Sequence, residues 1–204
     1  MQEIKPKKSL SQNFLIDKNI SLKIVNNINI FNKNIIEIGP GKGFLTDFII
    51  SKKPKKLILI EKDNNLASKL KDKYKDNKKI IIINSDILKF DFNEYKKINI
   101  IGNIPYNISS KIIKKILSNS VLIDETLLMV QKEFAIKCNY KLPKINKYKF
   151  MIQLCSLYKI CFYIPPNVFI PKPKVYSAII KFQFKKHNIN WARLFQFVDI
   201  IFRN

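Results

Sequence analysis

Short apolar runs alternate along this chain with amphipathic stretches. Ile35–Ile38 reads as a buried strand, Leu57–Ile60, Ile80–Ile83 and Ile98–Ile101 as three more strands, and Thr126–Val130 as a fifth. Between them Phe44–Ser51 and Asn65–Tyr74 read as helices. A further helix carries Ile108, Ile112, Ile113, Ile116 and Leu117 on one face at helical spacing. Lys147–Leu157 reads as helical, and Ile160–Ile164 and Val175–Phe184 as a late antiparallel pair of strands. Such alternation predicts βαβ units: an α/β fold with a mostly parallel seven-stranded sheet and helices on both faces. Pro143–Lys147 reads as a loop. Asn188–Trp191 reads as a boundary, dividing a main domain, residues 1–187, from a short C-terminal helical element, residues 188–204.

Glycine is nearly absent from this pattern. The four glycines of the 204 residues fall in two segments. Gly39, Gly41 and Gly43 lie in Glu37-Ile-Gly-Pro-Gly-Lys-Gly-Phe-Leu-Thr46, directly after the first strand. Gly102 opens Gly-Asn-Ile-Pro-Tyr-Asn-Ile-Ser109, directly after the fourth. A glycine kept in a chain that avoids it marks a place where a Cβ does not fit.

In a doubly wound sheet, ligands bind at the carboxyl ends of the strands. The glycine loop, Glu61, Asp86 and Asn103 all fall at such ends. Glu61 suits acceptance from ribose hydroxyls, and Asp86 can accept from an adenine amine. There is no G-x-x-x-x-G-K-[ST] phosphate loop, and the third glycine comes one residue early for a dinucleotide fingerprint. The E-x-G-x-G-x-G form instead resembles motif I of the S-adenosylmethionine-dependent methyltransferases.

Asn103-Ile-Pro-Tyr106 has the form N-[IL]-P-[YF] and resembles motif IV of the amino-methyltransferases that act on adenine. The residue types suit that chemistry. The lone pair of adenine N6 is conjugated into the ring. The Asn103 side-chain oxygen and the Ile104 or Pro105 carbonyl can accept its two N–H bonds and free that lone pair, while Tyr106 stacks on the base. A sulfonium is a good leaving group, so positioning and electrostatics suffice without a strong base.

Three further segments extend the likeness. Lys7-Lys-Ser-Leu-Ser-Gln-Asn-Phe-Leu15, Gln131-Lys-Glu-Phe-Ala135 and Pro165-Pro-Asn-Val-Phe-Ile-Pro-Lys-Pro-Lys-Val175 resemble, in order, motifs of the ribosomal RNA adenine dimethyltransferases. The resemblance covers residues 7 to about 180. It implies a Rossmann-like class I methyltransferase fold and S-adenosylmethionine as cofactor. By the same resemblance, Asn13 and Leu15 cover the methionine end of the cofactor and Gly39 and Gly41 give close backbone approach. Glu61 takes the ribose, Asp86 the cofactor adenine, and Asn103 lies between donor and target. Phe169 is similar to the family aromatic that stacks on an extruded target adenine, opposite Tyr106. Ser11 stands where the family has glycine. Trp191–Asn204 looks like the first helix of a C-terminal domain that helps hold rRNA.

The implied activity is dimethylation of adenine N6 in small-subunit rRNA, free or in a pre-ribosomal particle, during ribosome biogenesis. The alternatives are a large-subunit methylase of the macrolide-resistance type and a non-catalytic RNA- or DNA-binding factor. The Gly-Pro-Gly41 form, Gln131-Lys-Glu133 and Pro165-Pro166 favour the small-subunit class. Intact Glu61, Asp86 and Asn103 argue against the binder.

Charge agrees with a polyanionic partner: 38 basic residues against 15 acidic, a net +23. The excess is nearly all lysine, in a chain also rich in Asn and Ile, so part of it reflects composition. One histidine, His187, read as a surface-loop residue, and three cysteines without C-x-x-C spacing argue against a metal site. Cys138, Cys155 and Cys161 read as reduced core or near-core residues, which predicts a cytoplasmic protein. No apolar run reaches the roughly 18 residues of a membrane span, and the charged N-terminus leads into no signal-peptide core. A monomer is expected.

Overall fold

The computed structural model describes residues 12–141 and 143–202. The strands are β1 (Phe14–Leu15), β2 (Asn34–Ile38), β3 (Lys56–Glu61), β4 (Ile80–Asn84), β5 (Ile98–Asn103), β6 (Ile123–Gln131), β7 (Ser156–Ile164), β8 (Phe169–Ile170) and β9 (Ser177–Phe184). The helices are α1 (Lys18–Val25), α2 (Phe44–Ser51), α3 (Asn64–Lys73), α4 (Ser109–Ser118), α5 (Lys132–Cys138), α6 (Lys147–Cys155) and α7 (Trp191–Ile201). Seven strands form one sheet in the order β4-β3-β2-β5-β6-β9-β7. The first five run parallel, and β9 lies antiparallel between β6 and β7.

Helices on both faces explain why the central strands are continuous apolar runs. Alternate residues feed two separate cores. Ile36, Ile58, Ile60, Ile98 and Ile100 enter one, with Ile112, Ile116 and Phe182. Ile35, Leu57, Leu59 and Ile101 enter the other, with Ile49, Leu70 and Phe169. At about 25 cal/mol per Å² of apolar surface removed from water, these two layers dominate the stability of the fold.

The chain leaves β2 to build β3 and β4 on one side, then returns to lay β5 on the other. That reversal is the switch point, and the pairing there is close. Gly102 is opposite Ile38, and a Cβ on it would lie 2.7 Å from the Ile38 carbonyl oxygen. Glycine is therefore needed at this position for approach.

The sequence reading assigned no element to α1, α5, β1 or β8. β1 and β8 form a separate antiparallel pair, Phe14 with Ile170 and Leu15 with Phe169. The helix expected over Lys147–Leu157 ends at Cys155, and β7 begins at the next residue. His187 is half-buried and not a free surface residue: its Nε2 lies 2.8 Å from the Ser120 hydroxyl, and burial pushes its pKa down. Cys138 and Cys155 are buried, and burial pushes their thiols up to about 12 and about 11. The Lys7–Ser11 part of the N-terminal motif lies outside the described residues. Among those described, no helix is long and apolar enough to cross a membrane.

Candidate active site

A cleft of about 360 Å³ opens at the carboxyl ends of β2 to β5. Asn13, Leu15, Gly39, Gly41, Glu61, Asp86, Asn103, Pro105 and Tyr106 all line it. Residues from five separate parts of the chain thus converge on one cavity, of a size usual for a small-molecule site.

The glycine loop runs from β2 into α2. The Gly39 amide donates to the Ile60 carbonyl (3.0 Å), tying the loop to the end of β3. Gly41 has φ +60°, and a Cβ there would meet the Phe14 ring at 3.0 Å. Conformation and space therefore both require glycine.

Glu61 ends β3 and is 6% exposed. Its Oε2 accepts from the Gly41 amide (3.0 Å) and its Oε1 from the Asp63 amide (2.9 Å). Burial pushes its pKa up, and these amides work in the opposite direction. Each oxygen keeps a second lone pair, so the carboxylate can still accept from a ligand hydroxyl. Asp63 caps α3, its Oδ1 accepting from the amides of Asn65 and Leu66.

Asp86 follows β4. Burial raises its pKa, but the Lys62 ammonium on Oδ2 (2.8 Å) and the Leu88 amide on Oδ1 (2.9 Å) outweigh that and hold it below the usual range. It is an ionised acceptor at the cleft edge.

Asn103 ends β5. Its Nδ2 donates to the Asn13 carbonyl (2.8 Å). With the amine side so engaged, Oδ1 is the acceptor end of the amide. The Pro105 carbonyl receives both the Ser109 hydroxyl (3.1 Å) and the Ile108 amide (3.3 Å). These two donors engage it at the turn that leads into α4. Ile104 also lines the cleft, and Pro105 contributes its fixed φ of −59°.

Tyr106 is half-buried, with its hydroxyl 2.6 Å from Ser177 Oγ. Burial pushes the phenol pKa up, against the effect of the Ser177 hydrogen bond. Phe169 is elsewhere. Its ring is 2% exposed in the core that also holds Leu15, Ile164, Val168 and Ile179, and it does not line the cleft. Pairing of β8 with β1 turns Phe169 inward. Its neighbour Ile170 lines the cleft and is 54% exposed.

The sequence reading singled out neither Glu37 nor Ser177. Glu37 lies under the glycine loop, 1% exposed, with Thr46 Oγ1 donating to its Oε2 (2.7 Å). Burial pushes its pKa up to about 8. Its signal was present, as the acid of the E-x-G string. Ser177 left none, because its partner is distant in sequence.

The donor set suits a nucleoside with a further polar arm. A buried acid stands at the end of β3, a second acceptor follows β4, and a polar shelf formed by Asn13 and Asn103 closes the other side. The model of one protein family, described as "Ribosomal RNA adenine dimethylase", matches residues 3–204. The chain belongs to that family. A relative from Mesomycoplasma hyopneumoniae (strain 232), described as "Ribosomal RNA small subunit methyltransferase A", is 43% identical over 208 residues, covering 97% of this chain and 80% of the relative. A relative from Mycoplasmopsis pulmonis with the same description is 40% identical over 204 residues, covering 98% and 80%. Among solved structures, a dimethyladenosine transferase from Plasmodium falciparum superposes with a TM-score of 0.78 at 27% identity, covering 93% of this chain and 70% of that one. The 23S rRNA methyltransferase ErmE reaches 0.79 at 24% identity, covering 92% and 77%; at that identity it speaks for the fold alone. The seven-stranded class I methyltransferase sheet expected of the adenine dimethylase family is therefore present.

Proposed function

We propose that this chain dimethylates adenine N6 in small-subunit rRNA, with S-adenosylmethionine as methyl donor. The observation that carries the reading is the Asn103 amide. Its nitrogen is held by the Asn13 carbonyl and its oxygen is left to accept, in a cleft that also holds Glu61 and Asp86. A binding factor that had lost catalysis would have no use for that orientation.

In this reading Glu61 accepts from the ribose hydroxyls and Asp86 from the adenine amine of the cofactor. Gly39 and Gly41 bring backbone close, and Asn13 and Leu15 cover the methionine end. When bound, S-adenosylmethionine supplies an electrophilic methyl group on a positively charged sulfur. Asn103 Oδ1 and the Ile104 carbonyl accept the two N–H bonds of the target amine. That draws its lone pair out of conjugation, and acceptors fixed before the reaction need no reorganisation during it. Tyr106 offers a ring to stack on the extruded base, and Ser177 fixes the ring's position. With Phe169 in the core, Tyr106 and the apolar Ile170 form the target side.

Residues 1–187 form the catalytic unit in this proposal, and α7 is a helical element appended to it. Exposure of Phe197, Ile200 and Ile201 on α7 supports that division. A monomer in the cytoplasm, acting on rRNA or a pre-ribosomal small subunit, completes the reading. The descriptions of the relatives favour the small-subunit target over the large-subunit one. The test is mass mapping of dimethylated adenines in total rRNA with and without this protein. Modification confined to large-subunit rRNA, or none at all, refutes it.

A further inference from the structure

Beside the cleft, on the rim where β6, β9 and β7 meet, two tyrosines stand out from the protein. Tyr163 is 46% exposed and Tyr176 is 51% exposed. Tyr163 pairs with Ala178, two residues on from Tyr176. Tyr176 immediately precedes β9, and both rings meet the same lysine. Lys132 sits between them, its Nζ 5.0 Å from the Tyr163 centroid and 5.8 Å from the Tyr176 centroid, both within cation–π range. The Lys132 amide donates to the Tyr176 carbonyl (2.9 Å), which fixes the start of α5 against the rim. Ser177, which follows Tyr176, holds the Tyr106 hydroxyl. The rim is thus one residue removed from the target side of the cleft.

We propose that Tyr163, Lys132 and Tyr176 form a stacking platform for an unpaired RNA base a few nucleotides from the target adenine. Half-exposed rings have a π face to offer any base, and an ammonium between them can neutralise a backbone phosphate. The chain carries +23, which attracts an anionic strand and repels a basic protein segment, and Lys132 places a cation at the rim itself. The platform holds the strand while Tyr106 receives the extruded base. It therefore rests on the proposed function, and gives that reading a specificity device outside the cleft.

The experiment measures binding of a single-stranded oligoadenylate carrying 2-aminopurine to the full chain, beside methylation of small-subunit rRNA. Tyr163→Leu/Tyr176→Leu keeps apolar bulk and removes the aromatic faces. It should weaken oligoadenylate binding roughly tenfold or more and abolish 2-aminopurine quenching, with cofactor affinity and melting temperature unchanged. Tyr163→Phe/Tyr176→Phe should restore both. Lys132→Gln should make the log–log salt slope about 0.7 less negative, which the tyrosine variants leave alone. Wild-type affinity in the leucine pair overturns the platform, and so does failure of the phenylalanine pair to rescue; the first of these marks the rim as an apolar protein contact. If the wild-type chain binds oligoadenylate through these rings yet methylates no small-subunit rRNA, the functional reading fails and the platform stands.

Discussion

The side-chain nitrogen of Asn103 is bonded to the backbone carbonyl of Asn13 at 2.8 Å. This contact joins the segment before the first strand to the residue that ends β5. It settles which end of the Asn103 amide faces outward. A side chain free to flip would spend part of its time offering two donors where the proposed chemistry needs an acceptor.

Asn103→Ala should fold normally and bind S-adenosylmethionine measurably, while methyl transfer falls by about two orders of magnitude or more. Asn103→Asp should fail nearly as badly, since no N–H remains for the Asn13 carbonyl. Single-turnover methylation of rRNA checks both, and full activity in the alanine variant removes Asn103 from the chemistry.

Glu61→Gln should weaken cofactor binding about tenfold to a hundredfold, because a charged acceptor for hydroxyls becomes a neutral one, worth roughly 1–3 kcal/mol. Calorimetry reads it. Glu61→Ala should do more harm, since it also leaves the amides of Gly41 and Asp63 without a partner. Unchanged affinity in the glutamine variant would take the ribose role away from Glu61.

Phe169→Ala separates a core residue from a stacking one. Its burial predicts a cost of about 3–5 kcal/mol and a clear drop in melting temperature. Tyr106→Ala, by contrast, should lower methylation roughly tenfold to a hundredfold with a smaller change in the melt. A Phe169 variant that melts like wild type but no longer methylates would mean that the ring swings out to meet the base.

Glu37 makes stability depend on pH. Its folded pKa, about 8, lies above the ordinary carboxyl value of 4.5, so between these values the folded state holds more protons than the unfolded one. Its contribution to stability is therefore fully present below about 4.5 and is lost as pH rises through 8, by at most about 1.4 kcal/mol per pH unit. Glu37→Gln has no proton to lose. The melting temperature of the variant relative to wild type should rise from pH 5.5 to about 8 and level off above it, and a flat difference throughout would contradict the assignment.

The strands buried on both faces were legible because continuous Ile and Leu runs bounded by glycine and acids have few other ways to fold. Their polar ends were legible for the same reason: the end of a strand fixes where Glu61, Asp86 and Asn103 must lie. What escaped was set by partners far along the chain. β1 and β8 are two residues each and exist because they pair with each other. That pairing sends Phe169 inward and Ile170 outward, an assignment the proline-rich motif could not specify. The partners of the Pro105 carbonyl escaped as well, since the Ser109 hydroxyl reaches it only once the turn before α4 has formed.

The β1–β8 pair also sets a clock. Leu15 cannot meet Phe169 until most of the chain has been made. At roughly 5–20 residues per second of synthesis, the two are separated by on the order of ten seconds. During that interval β2 to β5 can assemble and present Glu61 and Asp86, but the β8 strand that pins β1, and with it Asn13, beside Asn103 does not yet exist. The strands that carry Glu61 and Asp86 are thus complete well before the pairing that holds Asn13 beside Asn103 can form.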